Sequence, residues 1–507
     1  MSDVRTNDEL VEATAASLRW ITAARIGVEL LLLVAMVVLA RLIPPSAFGV
    51  FAVVIIVQEL SVTFPNEGVG SAIVQRKEIT RRHLEAGLAL SLAASVVLVA
   101  LTLLLALVLV KPIFGSETAT LVAVAAPSFV LGAILAVPMA VLRRNLAFRR
   151  LSIIDFTYNG LRGGLAVLLA LAFGLDASAL VLGGLLAVVA MLALALVLAP
   201  VPLPRWHAAE VRDLLPYGGP AALACVAWTG FRNGDYAIVG ARLGTAQAGF
   251  YWRGFQLAVE YQRKISVVMS QVAFPVLART ASAADMFALR RRMVHLVTVS
   301  TFPLLAGLVL LAPDVVPWVF GPEWEPAVLP TQILAGAGAA TVVIEAVGSA
   351  LMAAGRARAL LSYGVAHFAV YVVAIFFASS FGLAAVAGAS VGVHAVFTVV
   401  AYRVMLVDHE ERALACLWKD VRPAAVCCVA LLAVAGPAGW ALQSAGAPPA
   451  LHMAVVAPLA AVAYLGALRL WFADAWRDLS GMVRRIVPQG GLLAACRRLA
   501  PARSPAL

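Results

Sequence analysis

YGGPAALACVAWTGFRNGDYAIVGARLG (217–244) and AGFYWRGFQLAVEYQRKISVVMSQVAFPVLA (248–278) are adjoining apolar segments with charges set inside them. The first carries Arg232, Asn233 and Asp235, and the second carries Arg253, Glu260, Arg263 and Lys264. On a helix, Arg253, Gln256, Glu260, Arg263, Lys264 and Gln271 fall on one face roughly 100° wide. The rest of that segment is mostly apolar or aromatic, so the polarity is inverted: a wet stripe on a greasy rod. An ionised group at a bilayer centre costs about 2.5–3.5 kcal/mol on insertion scales, so four on one helix cost on the order of 10 kcal/mol against lipid. They are expected to face protein or a water-filled cavity. A cavity among membrane helices is therefore the fold to explain.

Outward from this stretch, apolar runs of about 18 residues or more recur along the whole chain. Of 507 residues, 63% are hydrophobic and 13% charged, and the mean hydropathy is +0.95. That composition excludes a soluble globular domain and predicts an all-α polytopic membrane protein. Residues 1–19 are largely polar and show no cleavable signal pattern. Cys225, Cys416, Cys427, Cys428 and Cys496 show neither CxxC nor metal spacing, so no disulfide framework and no metal site is expected. No GxxxxGK[ST] or HExxH occurs. One GxSxG string, GASVG at Gly388–Gly392, lies inside an apolar span without the strand–turn–helix context of a nucleophile elbow. The expectation is a protein without catalytic residues or cofactor. Its net charge of +11 is assigned to inner loops beside anionic lipid, with no nucleic acid as partner.

Fourteen spans are expected, at roughly 20–42, 47–65, 84–110, 119–142, 151–173, 177–199, 214–240, 246–278, 293–312, 327–354, 359–379, 382–404, 423–443 and 450–472. With the N-terminus inside, 29 of the 38 Lys and Arg residues fall on the inner side. Only Arg41, Lys111 and Arg242 fall outside. This asymmetry places both termini in the cytoplasm.

The chain also repeats itself. ARLIPPSAFGVF (Ala40–Phe51) echoes ARLGTAQAGFY (Ala241–Tyr251), and FGSE (Phe114–Glu117) echoes FGPE (Phe320–Glu323). LRRNLAFRRLS (Leu142–Ser152) occupies the place that MAAGRARALLS (Met352–Ser362) occupies later, so the offset stays near two hundred residues. An even number of spans per unit makes the repeats parallel. The expected organisation is a cytoplasmic segment (1–19), an N-lobe of six spans (20–199) and an inner linker (200–213). A C-lobe of six spans (214–406), two added spans with their preceding loop (407–472) and a basic amphipathic tail (473–507) follow. The tail reads as an interfacial segment on anionic lipid.

In span seven, Arg232 and Asp235 are spaced to pair with each other, or to line a solvated cavity with the stripe of span eight. The cations Arg232, Arg253, Arg263 and Lys264 outnumber Asp235 and Glu260. A net-positive site rich in guanidinium suits a phosphate or pyrophosphate, which Arg grips bidentately. Arg25 and Glu29 stand one turn apart in span one; Arg25 is near enough to the inner end to snorkel, while Glu29 lies deeper. Glu59 in span two is a candidate partner across the lobe, and span five carries Asp155, Tyr158, Asn159 and Arg162 on one face. Glu345 in span ten reads either as a proton or Na⁺ site or as a hydrogen-bonded core group. Tyr363, His367 and Tyr371 form one face of span eleven, for helix packing or for sugar stacking.

LARLIPPSAFGVFAVV, NEGVGSAIVQRKEITRRHLEAG, VPMAVLRRNLAFRRLS, RNGDYAIVGARLGTAQAGFYWRGFQLA, VMSQVAFPVLAR and FGPEWEPAVLPTQILA together resemble the polysaccharide-transporter branch of the multidrug/oligosaccharidyl-lipid/polysaccharide (MOP) exporter superfamily, the Wzx-type lipid-linked oligosaccharide flippases. The resemblance runs over about residues 20–400 and rests on a pattern, since the family has no single catalytic motif. It implies two six-helix lobes in a V around a cavity lined by the first, second, seventh and eighth helices. It also implies alternating access and movement of a polyprenyl-pyrophosphate-linked saccharide from the inner to the outer leaflet of a bacterial inner membrane. On this reading Arg25, Arg232, Arg253, Arg263 and Lys264 bind substrate. Glu29, Glu59, Asp235, Glu260 and Glu345 balance charge or carry H⁺ or Na⁺. The partners are membrane lipids and the polysaccharide polymerase and export machinery. The alternatives are a MATE-like antiporter of organic cations, which a net-positive cavity disfavours, and a non-transporting scaffold of a polysaccharide-synthesis complex.

Overall fold

The computed structural model of the chain describes residues 27–263, 283–353, 356–406 and 412–486. Arg25 and Lys264 lie outside them. Every expected span falls wholly or partly on a described helix, and no strand occurs among the described residues. This is the form in which a chain crossing lipid satisfies its own backbone. Helix α1 covers 27–42, α2 Pro45–Pro65, α3 Arg81–Leu105, α4 Lys111–Ala125, α5 Ser128–Arg144, α6 Phe148–Phe173 and α7 Ala177–Leu198. Then come α8 Ala208–Leu243, α9 Thr245–Phe255, α10 Ala283–Phe320, α11 Val328–Ala353, α12 Ala357–Ala378, α13 Leu383–Met405, α14 Ala413–Ser444, α15 Pro449–Trp471 and α16 Ala473–Ile486.

Among the described residues ten helical segments are long and apolar enough to cross a membrane. One of them, Arg81–Arg144, runs through two expected spans. Helix α8 is not among the ten: glycines and prolines dilute its first half, and Arg232, Asp235 and Arg242 charge its second. Its place in the membrane depends on neighbours that cover those groups.

Among the described residues, three π turns interrupt the helices, at Asn66–Gly70, Ala106–Val110 and Gln256–Glu260. The sequence echoes have structural counterparts. Gly115 and Gly321, in the FGSE and FGPE turns, take φ of 88° and 114°, which a side chain would strain. A Cβ at Gly132 would lie 1.8 Å from the Ser61 carbonyl oxygen, and one at Gly338 would lie 2.0 Å from that of Ala258. The same backbone-to-backbone contact thus occurs between spans two and four and between spans eight and ten.

The residues form two compact units. The first comprises Met1–Arg253, Val316–Ala327 and Val372–Val386. In it α6 packs along α7, and α2 packs on α5 and α8. Leu135, Met139, Ile154, Met191 and Ala195 close one core; Val69, Ile73, Leu88, Val137 and Leu214 close another. Polar contacts tie the 200–213 linker to α3 at the arginine-rich end. Glu85 accepts from Arg81 (3.0 Å) and meets His207 Nε2 at 2.9 Å, and the Arg205 amide donates to the Glu85 carbonyl. Arg76 pairs with Asp213 at 2.6 Å, and Arg144 donates to the carbonyls of Ile73, Arg76 and Lys77.

The second unit comprises Gly254–Val315, Val328–Tyr371 and Ala387–Leu507. Its α14 and α15 pack along one another, with Leu431, Val456 and Leu468 in a core shared with Val299 of α10. Asp420, with no exposed surface, accepts from Arg290 (2.6 Å), Arg291 (3.2 Å) and the Tyr402 hydroxyl (2.8 Å). His452 meets the Asp314 carboxylate at 2.5 Å. In the tail, Ala475, Trp476 and Leu479 of α16 pack against this core, and Asp478 pairs with Arg292 at 2.5 Å. These three apolar residues of the tail thus pack on protein.

Candidate functional site

The charged stretch begins on α8. Arg232 is half-buried there. One residue on, Asn233 is buried and donates to the Thr229 carbonyl at 3.0 Å and to Glu59 Oε2 at 3.4 Å. Glu59 projects from α2, which packs on α8, and is half-buried. The carboxylate expected to act across the lobe thus meets a polar group of span seven, an asparagine beside the arginine.

Asp235 has 2% exposure and is engaged in packing. It accepts from the Tyr236 amide at 2.9 Å and from the Tyr251 hydroxyl at 3.1 Å, and the two tyrosine rings meet edge to face. It therefore fastens α8 to α9. A carboxylate held by two donors is stabilised as an acceptor.

Arg253 is 1% exposed. Its guanidinium lies 4.5 Å from the Phe48 ring centroid, 5.4 Å from that of Trp252, and 5.1 Å from those of Phe320 and Trp324. Four rings drawn from three segments enclose the cation, and cation–π attraction replaces part of the solvation it has lost. In this arrangement the side chain presents almost no surface to a ligand. The sequence showed the tryptophans of WRGF and GPEW but not that they converge; the only hint was that the echoed turns place both at the cation-poor end.

The stripe of span eight also changes course. The π turn Gln256–Glu260 accommodates an extra residue, so the face counted at the α-helical period turns by about 90° across it. Beyond it, in the second unit, Glu260 accepts from Arg263 at 2.7 Å, both side chains about four-fifths buried. That pair sits one helical turn apart and largely neutralises itself.

Glu29 on α1 and Glu345 on α11 are each half-buried. Tyr363, His367 and Tyr371 are buried against α13, where His367 stacks on Phe397 at 4.5 Å and Tyr371 meets Ser390. Helix packing thus occupies the face that the sequence left open to sugar stacking. Among the described residues no three His, Cys, Asp or Glu side chains come together to hold a metal.

Residues that the sequence reading passed over include Gln58, buried on α2 and donating to the Val181 carbonyl, and Asp420 with Arg290. Arg290 shows in the sequence only as a cation bordering an apolar span, because its partner Asp420 lies 130 positions away.

Residues 38–329 match a family described as polysaccharide biosynthesis protein. The chain is 26% identical over 411 residues to the lipopolysaccharide biosynthesis protein WzxC of Escherichia coli (strain K12), covering 78% of this chain and 82% of that one. It is 29% identical over 322 residues to the teichuronic acid biosynthesis protein TuaB of Bacillus subtilis (strain 168), covering 60% and 65%. Among solved structures, the lipid II flippase MurJ in an inward closed conformation superposes with a TM-score of 0.70 at 12% identity, over 90% of this chain and 99% of that one. An inward-facing MATE family transporter of the MOP superfamily gives 0.62 at 16% identity, over 77% and 95%. These two likenesses establish a MOP-type fold.

Proposed function

The chain belongs to the polysaccharide biosynthesis protein family, and from that premise we propose that it moves a polyprenyl-pyrophosphate-linked saccharide across a membrane for surface polysaccharide assembly. The observation that carries this reading is the match to the lipopolysaccharide biosynthesis protein WzxC over about four-fifths of both chains. The MOP-type fold supports a transporter in place of an enzyme. The protein is a multi-pass membrane protein. We place it in a bacterial inner membrane with both termini cytoplasmic, as the cation asymmetry favours.

In the proposed cycle two six-span repeats, joined by the 200–213 linker, rock about the lipid-linked saccharide. Arg232, beside the Asn233–Glu59 contact, binds the anionic pyrophosphate or an acidic sugar. Arg25, Arg263 and Lys264 are the other cations proposed as substrate-binding, each on its own segment, and Glu260 balances Arg263. Arg253 acts by holding aromatic side chains in place, in keeping with its burial. Glu29, Glu59 and Glu345 are the carboxylates proposed to exchange H⁺ or Na⁺ as the cycle resets, because each is half-buried on a membrane helix. The polysaccharide polymerase and export machinery are the proposed recipients.

The test is a flipping assay in sealed vesicles with lipid-linked saccharide in the inner leaflet, a membrane-impermeant probe outside, and an imposed H⁺ or Na⁺ gradient. Gradient-dependent exposure of the saccharide is expected. Transport of organic cations without saccharide exposure would replace this reading with antiport.

A further inference from the structure

Ala208, Arg212, Leu215, Gly219 and Ala222 recur every three or four residues, so they share one face of α8. Two cavities lie along that face and have Leu215 in common. The first, of about 460 Å³, is lined by Trp206, Ala208, Val211, Arg212, Leu215 and Pro216. The second, of about 110 Å³, continues between α8, α3 and the end of α2, with Phe64, Leu90, Leu214 and Ala222 in its walls. Gly219 borders it, and a Cβ there would meet nothing within 4 Å. From Arg212 to Ala222 the groove follows the helix for about 15 Å, at roughly 1.5 Å per residue. That is about half of the roughly 30 Å hydrocarbon core of a bilayer, the depth of one leaflet.

The mouth of the groove is cationic. Arg205 and Arg212 are exposed there, beside Trp206 at 59% exposure and Leu203 at 79%. Two carboxylates near the mouth are already engaged. Glu85 holds Arg81 and His207. Asp213 holds Arg76 at 2.6 Å and faces His83 at 3.5 Å. Glu210 stands two positions before Arg212, about 200° around the helix, and so points away from it. The Arg205 amide donates to the Glu85 carbonyl at 3.3 Å, which fixes the backbone that carries this arginine. Arg212 immediately precedes the expected span 214–240, at the level where tryptophan and arginine meet lipid headgroups.

We propose that this groove binds one anionic phospholipid of the inner leaflet, its phosphate on Arg212 and Arg205 and one acyl chain laid over Leu215 and Gly219. Arginine grips phosphate oxygens with paired N–H donors, and a basic pocket between spans on the cytoplasmic side suits such a headgroup. A zwitterionic lipid could fill the apolar length but would bring no net charge to the arginines. A polyprenyl chain is much longer than one leaflet is deep and would overrun the groove. The bound lipid ties the 200–213 linker and α3 to the composition of that leaflet. The site rests on the cytoplasmic orientation proposed above, and not on the identity of the transported substrate.

The full chain, purified in detergent, is titrated with phosphatidylglycerol or with phosphatidylcholine of the same acyl chains. Retained lipid is counted by native mass spectrometry, and the melting temperature is read in parallel. One phosphatidylglycerol per chain is expected, bound at least tenfold more tightly than phosphatidylcholine. Arg205→Gln with Arg212→Gln should lower that affinity at least tenfold and leave phosphatidylcholine binding unchanged. Gly219→Leu, whose first added carbon meets nothing within 4 Å, should weaken both lipids by filling the groove. Arg149→Gln, at an exposed arginine in the first turn of α6, should change binding less than twofold. A lipid-free melting temperature equal to the parent's shows that a variant has lost binding and not its fold. Equal binding of the two lipids, or parent-like affinity in the double arginine variant, would overturn the site. So would displacement of phosphatidylglycerol by equimolar polyprenyl phosphate, which would give the groove to the substrate's carrier lipid. None of these readouts uses flipping, so they decide the lipid site whether or not the transport reading holds.

Discussion

Arg290 donates to Asp420 across 2.6 Å, and the carboxylate that receives it is wholly enclosed, with Arg291 and the Tyr402 hydroxyl on its remaining lone pairs. The contact joins α10 to α14, the helix that contains the thirteenth expected span. Removing one partner of such a pair leaves an uncompensated buried charge, at a cost of about 3–5 kcal/mol. Asp420→Ala is expected to lose most of its folded protein, read as the monodisperse fraction in detergent and the melting temperature. The double variant Arg290→Met with Asp420→Leu should recover much of that stability, because two apolar groups leave no charge stranded. Equal loss in the single and double variants would refute a balance set by charge pairing.

The cage around Arg253 makes a different demand. With four rings about a cation that is 1% exposed, Arg253→Ala removes cation–π contacts of about 0.5–2 kcal/mol each where desolvated, and also leaves a cavity. A melting temperature lowered by several degrees is expected. Binding of lipid-linked saccharide by the surviving folded protein should change less than threefold. A normal melting temperature with binding abolished would return Arg253 to the substrate site.

Glu59 and Arg232 test the transport path itself. Both are half-buried, and Glu59 is bonded to Asn233 at a long 3.4 Å. Glu59→Gln keeps the size and the hydrogen-bonding group of the side chain. It is expected to reduce flipping at least fivefold, with the melting temperature within about 1 °C of the parent. Arg232→Ala is expected to weaken binding of the pyrophosphate lipid about tenfold or more, the loss of one charge-assisted contact. Parent-like transport by both variants would remove them from the path.

The glycines sort by what stands against them. Gly132→Ala and Gly338→Ala would drive a methyl into a backbone carbonyl at 1.8 and 2.0 Å. Each is expected to destabilise by at least the 1–3 kcal/mol, roughly, of an overpacked core. Gly388→Ala and Gly230→Ala meet nothing within 4 Å, so the gain of about 0.5–1 kcal/mol from replacing a helical glycine should show. Thermal unfolding of the four variants side by side is the check, and similar melting temperatures would show that the crossings are looser than described.

Much was legible along the chain because hydropathy and cation bias act locally. A run of some twenty apolar residues has to be a helix if it is to cross lipid, wherever its neighbours lie. The fourteen segments, the echoed turns and the two charged spans needed no tertiary information. The fate of each charge did. Asp235 sits three positions from Arg232, yet two of its donors are the amide of Tyr236 and the hydroxyl of Tyr251. Arg253 lies on the counted polar stripe, yet rings from positions 48, 252, 320 and 324 enclose it. A helical wheel knows only angles along one rod, and the π turn at Gln256–Glu260 alters even those. Which charge is enclosed, which is paired and which stays half-open is settled by helices meeting across hundreds of residues, through contacts whose energies depend on distance and burial and leave no period in the sequence.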